Sequence, residues 1–134
     1  MIYIYTDIII SDSEYPLPSK IDDFIATYYD NTVCSVQWTA PYGNTIEDIV
    51  TEYDMRYSNS IVDANSDAVW NSLHKLYSLP TPGVYGTLHS YTITGLKSNS
   101  EYYVYIKAIK VNNGVRYISQ ASDPVYFRTK SDII

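Results

Sequence analysis

The chain contains the stretch Leu96-Lys97-Ser98-Asn99-Ser100-Glu101-Tyr102, in which a polar turn separates a Leu from a Tyr six residues later. A strand is expected after this turn, because Tyr102, Val104, Ile106 and Ala108 alternate along the chain and share one face. In a β-sandwich, a Tyr at such a turn forms a tyrosine corner: its ring packs inward and its hydroxyl bonds to upstream backbone. The stretch therefore predicts a β-sandwich with Tyr102 at one corner.

Other segments alternate in the same way and supply further strands. Cys34, Val36 and Trp38 share one face of a segment that ends before Pro41, and Asn112-Asn113-Gly114 indicates a tight turn between the last two strands. The remaining residues that we expect to point inward are Ile21, Phe24, Ala26, Tyr53, Met55, Tyr57, Tyr91, Ile93, Leu96, Val125 and Phe127.

Taken in order, these segments resemble a fibronectin type III domain. The resemblance lies in Trp38-x-x-Pro41, in Tyr53-x-x-Arg56-Tyr57, in the Leu96-to-Tyr102 spacing and in a closing Thr129. It covers roughly residues 20–130, and Ser98-Asn99 stands where the family usually has Pro-Gly. The resemblance implies an all-β chain with a single seven-stranded immunoglobulin-like sandwich.

We divide the chain into three parts on this basis. Residues 1–19 are an extended N-terminal arm with a Pro-containing linker, residues 20–130 are the sandwich, and residues 131–134 are a C-terminal tail. Residues 68–73 are expected to form a short strand or one helical turn. Bacterial and phage type III domains carry a similar Trp, Pro-x-Pro, Gly segment there, and this likeness implies that Trp70 packs on the sandwich and does not bind sugar.

Charge and cysteine content exclude several classes of partner. The 134 residues carry a formal net charge of −6, and the nine basic residues are scattered, which argues against nucleic acid and acidic membrane surfaces. Cys34 is the single cysteine, so no intrachain disulfide forms, and we expect a buried, inert thiol. Met1–Ile10 is apolar but contains Asp7 and lacks a basic region, so we expect neither a secretory signal nor membrane insertion.

No constellation of residues predicts chemistry. His74 and His89 are the only histidines, and neither has the short-spaced ligands that zinc requires. The run from Asp63 to Asp67 lacks the glycine and distal glutamate of a calcium loop. A Ser or Cys nucleophile with an adjacent base is also not recognisable. We therefore expect no catalytic residue, no metal and no cofactor, and a protein that is not an enzyme.

Two classes of function remain open. The first is a structural accessory protein of a phage particle, as a capsid decoration or tail-associated protein, made in the host cytoplasm and located in the virion. Immunoglobulin-like sandwiches recur in such places, and an accessory protein would bind other virion proteins. The alternative is an extracellular or cell-surface adhesion or carbohydrate-binding module, in which exposed Tyr side chains stack on a surface glycan. An intracellular scaffold is a weaker third class.

Two surfaces are candidates for partner binding. The arm could add a strand to the open sheet edge of a neighbour, or fold back on its own domain. Its candidate residues are Ile2, Tyr3, Ile4, Tyr5, Ile8, Ile9 and Ile10. The outward face of three predicted strands, near residues 49–57, 102–108 and 122–129, contributes Arg56, Tyr103, Tyr105, Tyr126 and Arg128. Tyr and Arg are enriched at interface hot spots, although these tyrosines could instead form a cross-strand ladder that stabilises the sheet.

Overall fold

The structure is a computed structural model that describes residues 17–132. Within these residues the chain forms eight strands and one short helix. They are β1 (Ile25–Tyr29), β2 (Cys34–Thr39), β3 (Glu52–Ser58), α1 (Asp67–Ser72), β4 (His74–Lys75), β5 (Leu88–Ile93), β6 (Glu101–Asn112), β7 (Val115–Ile118) and β8 (Val125–Arg128). The arm residues proposed for partner binding, Ile2 to Ile10, lie outside the described part of the chain.

The strands form two antiparallel sheets. The first has the order β1-β2-β5, and the second has the order β4-β3-β6-β7, with β8 also paired to β6. The main hydrophobic core contains side chains of both sheets, so the sheets pack face to face as a sandwich. The all-β sandwich that the sequence predicted is therefore the observed fold.

The inward faces follow the predicted alternation. Cys34, Val36 and Trp38 are fully buried, and burial raises the pKa of the Cys34 thiol to about 12, which keeps the thiol protonated. Tyr57 and Tyr91 are only partly buried at the edge of the same core. The other inward-facing residues in the core are Ile21, Phe24, Tyr53, Met55, Ile93, Leu96, Tyr102, Val104, Ile106, Ala108, Val125 and Phe127.

The tyrosine corner is present. The backbone N–H of Lys97 donates to Tyr102 Oη at 2.7 Å, and the Tyr102 ring packs on Phe127 with 5.5 Å between ring centroids. Asn99 adopts a φ of 50°, a left-handed conformation that Asn tolerates better than most residues, in place of the glycine of the family pattern. The closing Thr129 braces the turn, because its Oγ1 accepts from Ser100 N–H at 2.9 Å and donates to the Lys97 carbonyl at 2.7 Å.

The last predicted strand is divided in two, which gives eight strands where seven were expected. Between β7 and β8, the side-chain oxygens of Ser119 and Ser122 accept from the backbone N–H groups of Ala108 and Ile106, at 2.9 and 3.1 Å. These hydroxyls stand in for strand carbonyls, so β6 remains hydrogen-bonded although its neighbour leaves the regular ladder. Residues 68–73, left open between strand and helix, lie mostly in α1, which begins after the N-cap Ser66.

The corner hydrogen bond provides a test of the fold. Tyr102→Phe keeps the ring and removes the only acceptor seen for the Lys97 N–H within residues 17–132. We expect a loss of about 0.5–1.5 kcal/mol in the free energy of unfolding, because a neutral hydrogen bond contributes about that much. Urea denaturation of both proteins measures this difference, and equal midpoints with equal slopes would count against the corner.

Candidate interaction surface

A segment of irregular chain covers part of the outer face of the larger sheet. We call this segment, residues 59–73 between β3 and β4, the strap. It includes α1. Ala64 and Trp70 of the strap are buried against Tyr105 of β6 and Ala121, and form a second, smaller hydrophobic cluster. Trp70 is 5% exposed, which confirms the prediction that it packs on the sandwich.

The Asp54 carboxylate lies at the centre of the contact between the strap and the sheet. Arg56 donates to both its oxygens, from Nε at 2.9 Å and from Nη2 at 3.2 Å, and Trp70 Nε1 donates to Oδ2 at 3.0 Å. Arg56 Nη1 also donates to the Trp70 carbonyl at 3.1 Å. Asp54 is only 8% exposed, and these donors replace the water that burial removes from the carboxylate.

Two further contacts hold the strap in place. Tyr105 Oη accepts from the backbone N–H of Val62 at 3.2 Å, so the tyrosine binds the strap through both its ring and its hydroxyl. Asn65 Oδ1 accepts from the Ala121 N–H at 2.8 Å, next to the break between β7 and β8. The strap is therefore bonded to β3, to β6 and to the segment that follows β7.

This arrangement corrects part of the predicted partner surface. Tyr105 does point away from the sandwich core, but it is 2% exposed beneath the strap, so it does not lie on the exposed surface that strand alternation predicted for it. Arg56 is also unsuited to that role, because its side chain is 12% exposed and is bonded to Asp54 and Trp70. Strand alternation identifies the face of the sheet on which a side chain lies, but not what covers that face.

Beside the strap, the same face carries the remaining predicted residues: Tyr103, which is partly buried against the strap cluster, and Tyr126 and Arg128, which are about half exposed. We call Glu101, Tyr103, Tyr126 and Arg128 the Tyr126 patch. Tyr103 and Tyr126 are opposite each other in β6 and β8, with 4.9 Å between ring centroids. Tyr126 is 50% exposed, and its hydroxyl donates to Glu101 Oε2 at 3.1 Å, a bond that raises the pKa of Tyr126.

Arg128 lies beside these rings at the edge of the patch. Its Nη1 is 3.5 Å from Glu101 Oε2, and its Nε donates to Asn99 Oδ1 at 3.2 Å. The side chains of Arg128 and Glu101 are each about half exposed, so this ion pair stays in contact with water. The patch thus combines an exposed aromatic ring, a cation and an anion on a rigid sheet, which suits protein recognition.

The histidines lie away from the patch. His89 is buried between the rings of Trp38 and Tyr53, and its Nε2 accepts from the Gly83 N–H at 3.2 Å, while burial lowers its pKa. His74 stacks on Tyr57 with 4.5 Å between ring centroids. In residues 17–132, no group of three or more His, Cys, Asp or Glu side chains is arranged to hold a metal ion. No helix in this part of the chain is long and apolar enough to cross a membrane.

Comparison with known proteins places the chain in a family. The sequence profile of the fibronectin type III domain matches residues 19–127, so the chain belongs to the fibronectin type III family. Domains of this family are generally non-catalytic modules that mediate protein–protein interactions or have a structural role. No curated protein matches the sequence.

The solved structures that are similar to this chain include two human fibronectin type III domains. One is the fibronectin type III domain derived from the human KIAA0970 protein, at 15% identity and a TM-score of 0.58, covering 100% of this chain and 90% of that chain. The other is the fibronectin type III domain of human fibronectin type III domain containing protein 3, at 21% identity and a TM-score of 0.53. It covers 87% of this chain and 90% of that chain. At these identities the likeness concerns the fold.

Arg56 and Arg128, one buried and one exposed on the outer face, give a matched test of the strap. Arg56→Met leaves the buried Asp54 with Trp70 Nε1 as its remaining side-chain donor within residues 17–132. We expect a loss of about 3 kcal/mol in the free energy of unfolding, because an uncompensated buried charge is costly. Arg128→Met removes an exposed pair and should cost about 0–1 kcal/mol. Denaturation that gives equal losses for the two variants would contradict the buried network.

Proposed function

We propose that the domain is a non-enzymatic interaction module that binds another protein through the Tyr126 patch. The observation that carries this proposal is that Tyr126 is half exposed while its ring and hydroxyl are both held, by Tyr103 and Glu101. A side chain that is already fixed loses little conformational freedom when a partner covers it, so more of the contact energy remains as affinity.

The position of the strap favours the Tyr126 patch as the binding surface over the rest of the outer face. It covers Tyr105 and engages Arg56, so a partner that approaches this face meets Tyr126 and Arg128 beside it. Tyr and Arg are also the residue types that most often contribute strongly to binding. The competing role is purely structural, because a cross-strand Tyr103–Tyr126 pair stabilises a sheet by itself. The two roles differ in what removal of the Tyr126 ring does to binding.

The narrower function that we propose is an accessory protein of a phage particle, located in the virion and bound to other virion proteins. It is supported by the recurrence of immunoglobulin-like sandwiches as accessory domains of phage capsids and tails. The apolar residues Ile2 to Ile10 offer a second contact in addition to the Tyr126 patch. Adhesion to a cell surface or to a glycan is the alternative for the same fold, and the identity of the partner distinguishes them.

Site-specific photocrosslinking tests this function. A photoreactive phenylalanine analogue at position 126 should crosslink a protein partner in the native source, and the same analogue at Tyr28 should not. Tyr28 is a matched control because it is 55% exposed and lies on the other sheet. A capsid or tail protein as the crosslinked partner would support the virion role, and another protein would support only the broader module.

A substitution separates binding from sheet stability. Tyr126→Ser should weaken binding of the crosslinked partner by about 30-fold, the effect of a hot-spot residue, and should lower the free energy of unfolding by about 0.2–1 kcal/mol. Tyr28→Ser should leave binding unchanged. A Tyr126→Ser variant that loses stability but binds as tightly as the native domain would show that the Tyr pair is only structural.

A further inference from the structure

A cavity of about 330 Å³ lies on the outer face of the larger sheet, beside α1. Four of the nine basic residues of the chain line it, although the chain has a formal net charge of −6. They are Arg56, Lys75, Lys107 and Arg116, and the carboxylates in the lining are Asp54 and Asp67. Positive charge is therefore concentrated at one place in an acidic protein.

Lys107 is the most unusual of these residues. It is 5% exposed and lies directly opposite Asp54 in the β3–β6 pairing, where a salt bridge would be expected. Both Asp54 oxygens are instead occupied by Arg56 and Trp70 Nε1. Lys107 Nζ lies 4.2 Å from the centre of the Trp70 ring, and among residues 17–132 it has no hydrogen-bond acceptor and no carboxylate at ion-pair distance.

The surrounding charges compensate this cation only in part. Burial lowers the pKa of Lys107, and the carboxylates of Asp67, Asp54 and Asp63 counteract this effect only from a distance. A buried ammonium group without a bonded anion is costly, and an anion that enters the cavity would relieve that cost. The cavity volume is also within the range of sites for small molecules.

The other cations can contribute to the same ligand. Lys75 lies at the rim with its amine 5.6 Å from the ring of Tyr77, and Arg116 forms a half-exposed pair with Glu52 at 3.2 Å. Neither is enclosed in a buried ion pair, in contrast to Arg56. A bound anion would therefore meet Lys107, Lys75 and Arg116, opposed mainly by the exposed Asp67.

We propose that this cavity is a binding site for a small-molecule oxyanion of the carboxylate or phosphate class, with Lys107 as its central contact. The site is separate from the Tyr126 patch, so it does not depend on the protein-binding role. Because the outer cations stay partly hydrated, a simple anion should bind with a dissociation constant of about 1–10 mM.

Nuclear magnetic resonance of the ¹⁵N-labelled protein tests the site. Inorganic phosphate and succinate are titrated separately at constant ionic strength, with neutral succinamide as the control. Saturable shifts should appear at the Trp70 indole N–H and at the amides of Lys107 and Lys75. The Trp38 indole N–H, buried in the core, should not move. A response to only one of the two anions would identify the class, and a response to both would indicate a general oxyanion site.

Substitutions assign the response to the cavity. Lys107→Met keeps most of the alkyl chain and should raise the dissociation constant at least about fivefold. Lys75→Gln, at an exposed position, should weaken binding without risk to folding, and Lys97→Gln, exposed and outside the lining, should change nothing. The proposal is overturned if the shifts do not saturate, if succinamide reproduces them, or if Lys107→Met and Lys75→Gln both leave them unchanged.

Discussion

A carboxylate that is removed from water needs hydrogen-bond donors, and Asp54 finds its donors on two different elements. Arg56 follows it on β3, whereas Trp70 belongs to the strap, more than a dozen residues further along the chain. The same Arg56 also binds the Trp70 carbonyl, so the charge pair and the strap are parts of one network. Because the cost of an unpaired Asp54 would be large, the strap has a defined position over the sheet, and that position determines which side chains of the outer face reach solvent.

The strap therefore divides the outer face of the larger sheet into a covered end and an open end. At its covered end, Trp70 and Arg56 occupy the oxygens of Asp54, and Lys107 is left with an aromatic ring in place of the carboxylate opposite it. At its open end, Tyr126 and Arg128 lie on β8, which pairs with β6, and both are about half exposed. The position of the strap thus accounts for both the cavity proposed to bind an oxyanion and the patch proposed to bind a protein, which lie at different ends of one sheet.

Much of the fold could be predicted from the sequence, because its signals are local. Alternation in β2 and β6 identifies the inward faces, and the Leu96-to-Tyr102 spacing identifies the corner. The burial of Tyr105 could not be predicted in this way, since the strap is mostly polar and its position depends on contacts between residues far apart in the sequence. One signal for a cover was available in the sequence. Asp54 and Arg56 place two charged side chains on the outer side of β3, and Trp70 is a large apolar side chain that needs a surface to pack against. The division between β7 and β8 was also hidden, because serine hydroxyls replace strand carbonyls there.

A double-mutant cycle between Asp54 and Trp70 tests most directly whether the strap is anchored by this carboxylate. Asp54→Ala, Trp70→Phe and the double variant are unfolded in urea beside the native protein, and the coupling free energy is taken from the four values. A bond to a buried charged group predicts a coupling of about 1.5–3 kcal/mol. Effects that add to within about 0.3–0.5 kcal/mol would show that the two residues act independently, and would contradict the account of the outer face.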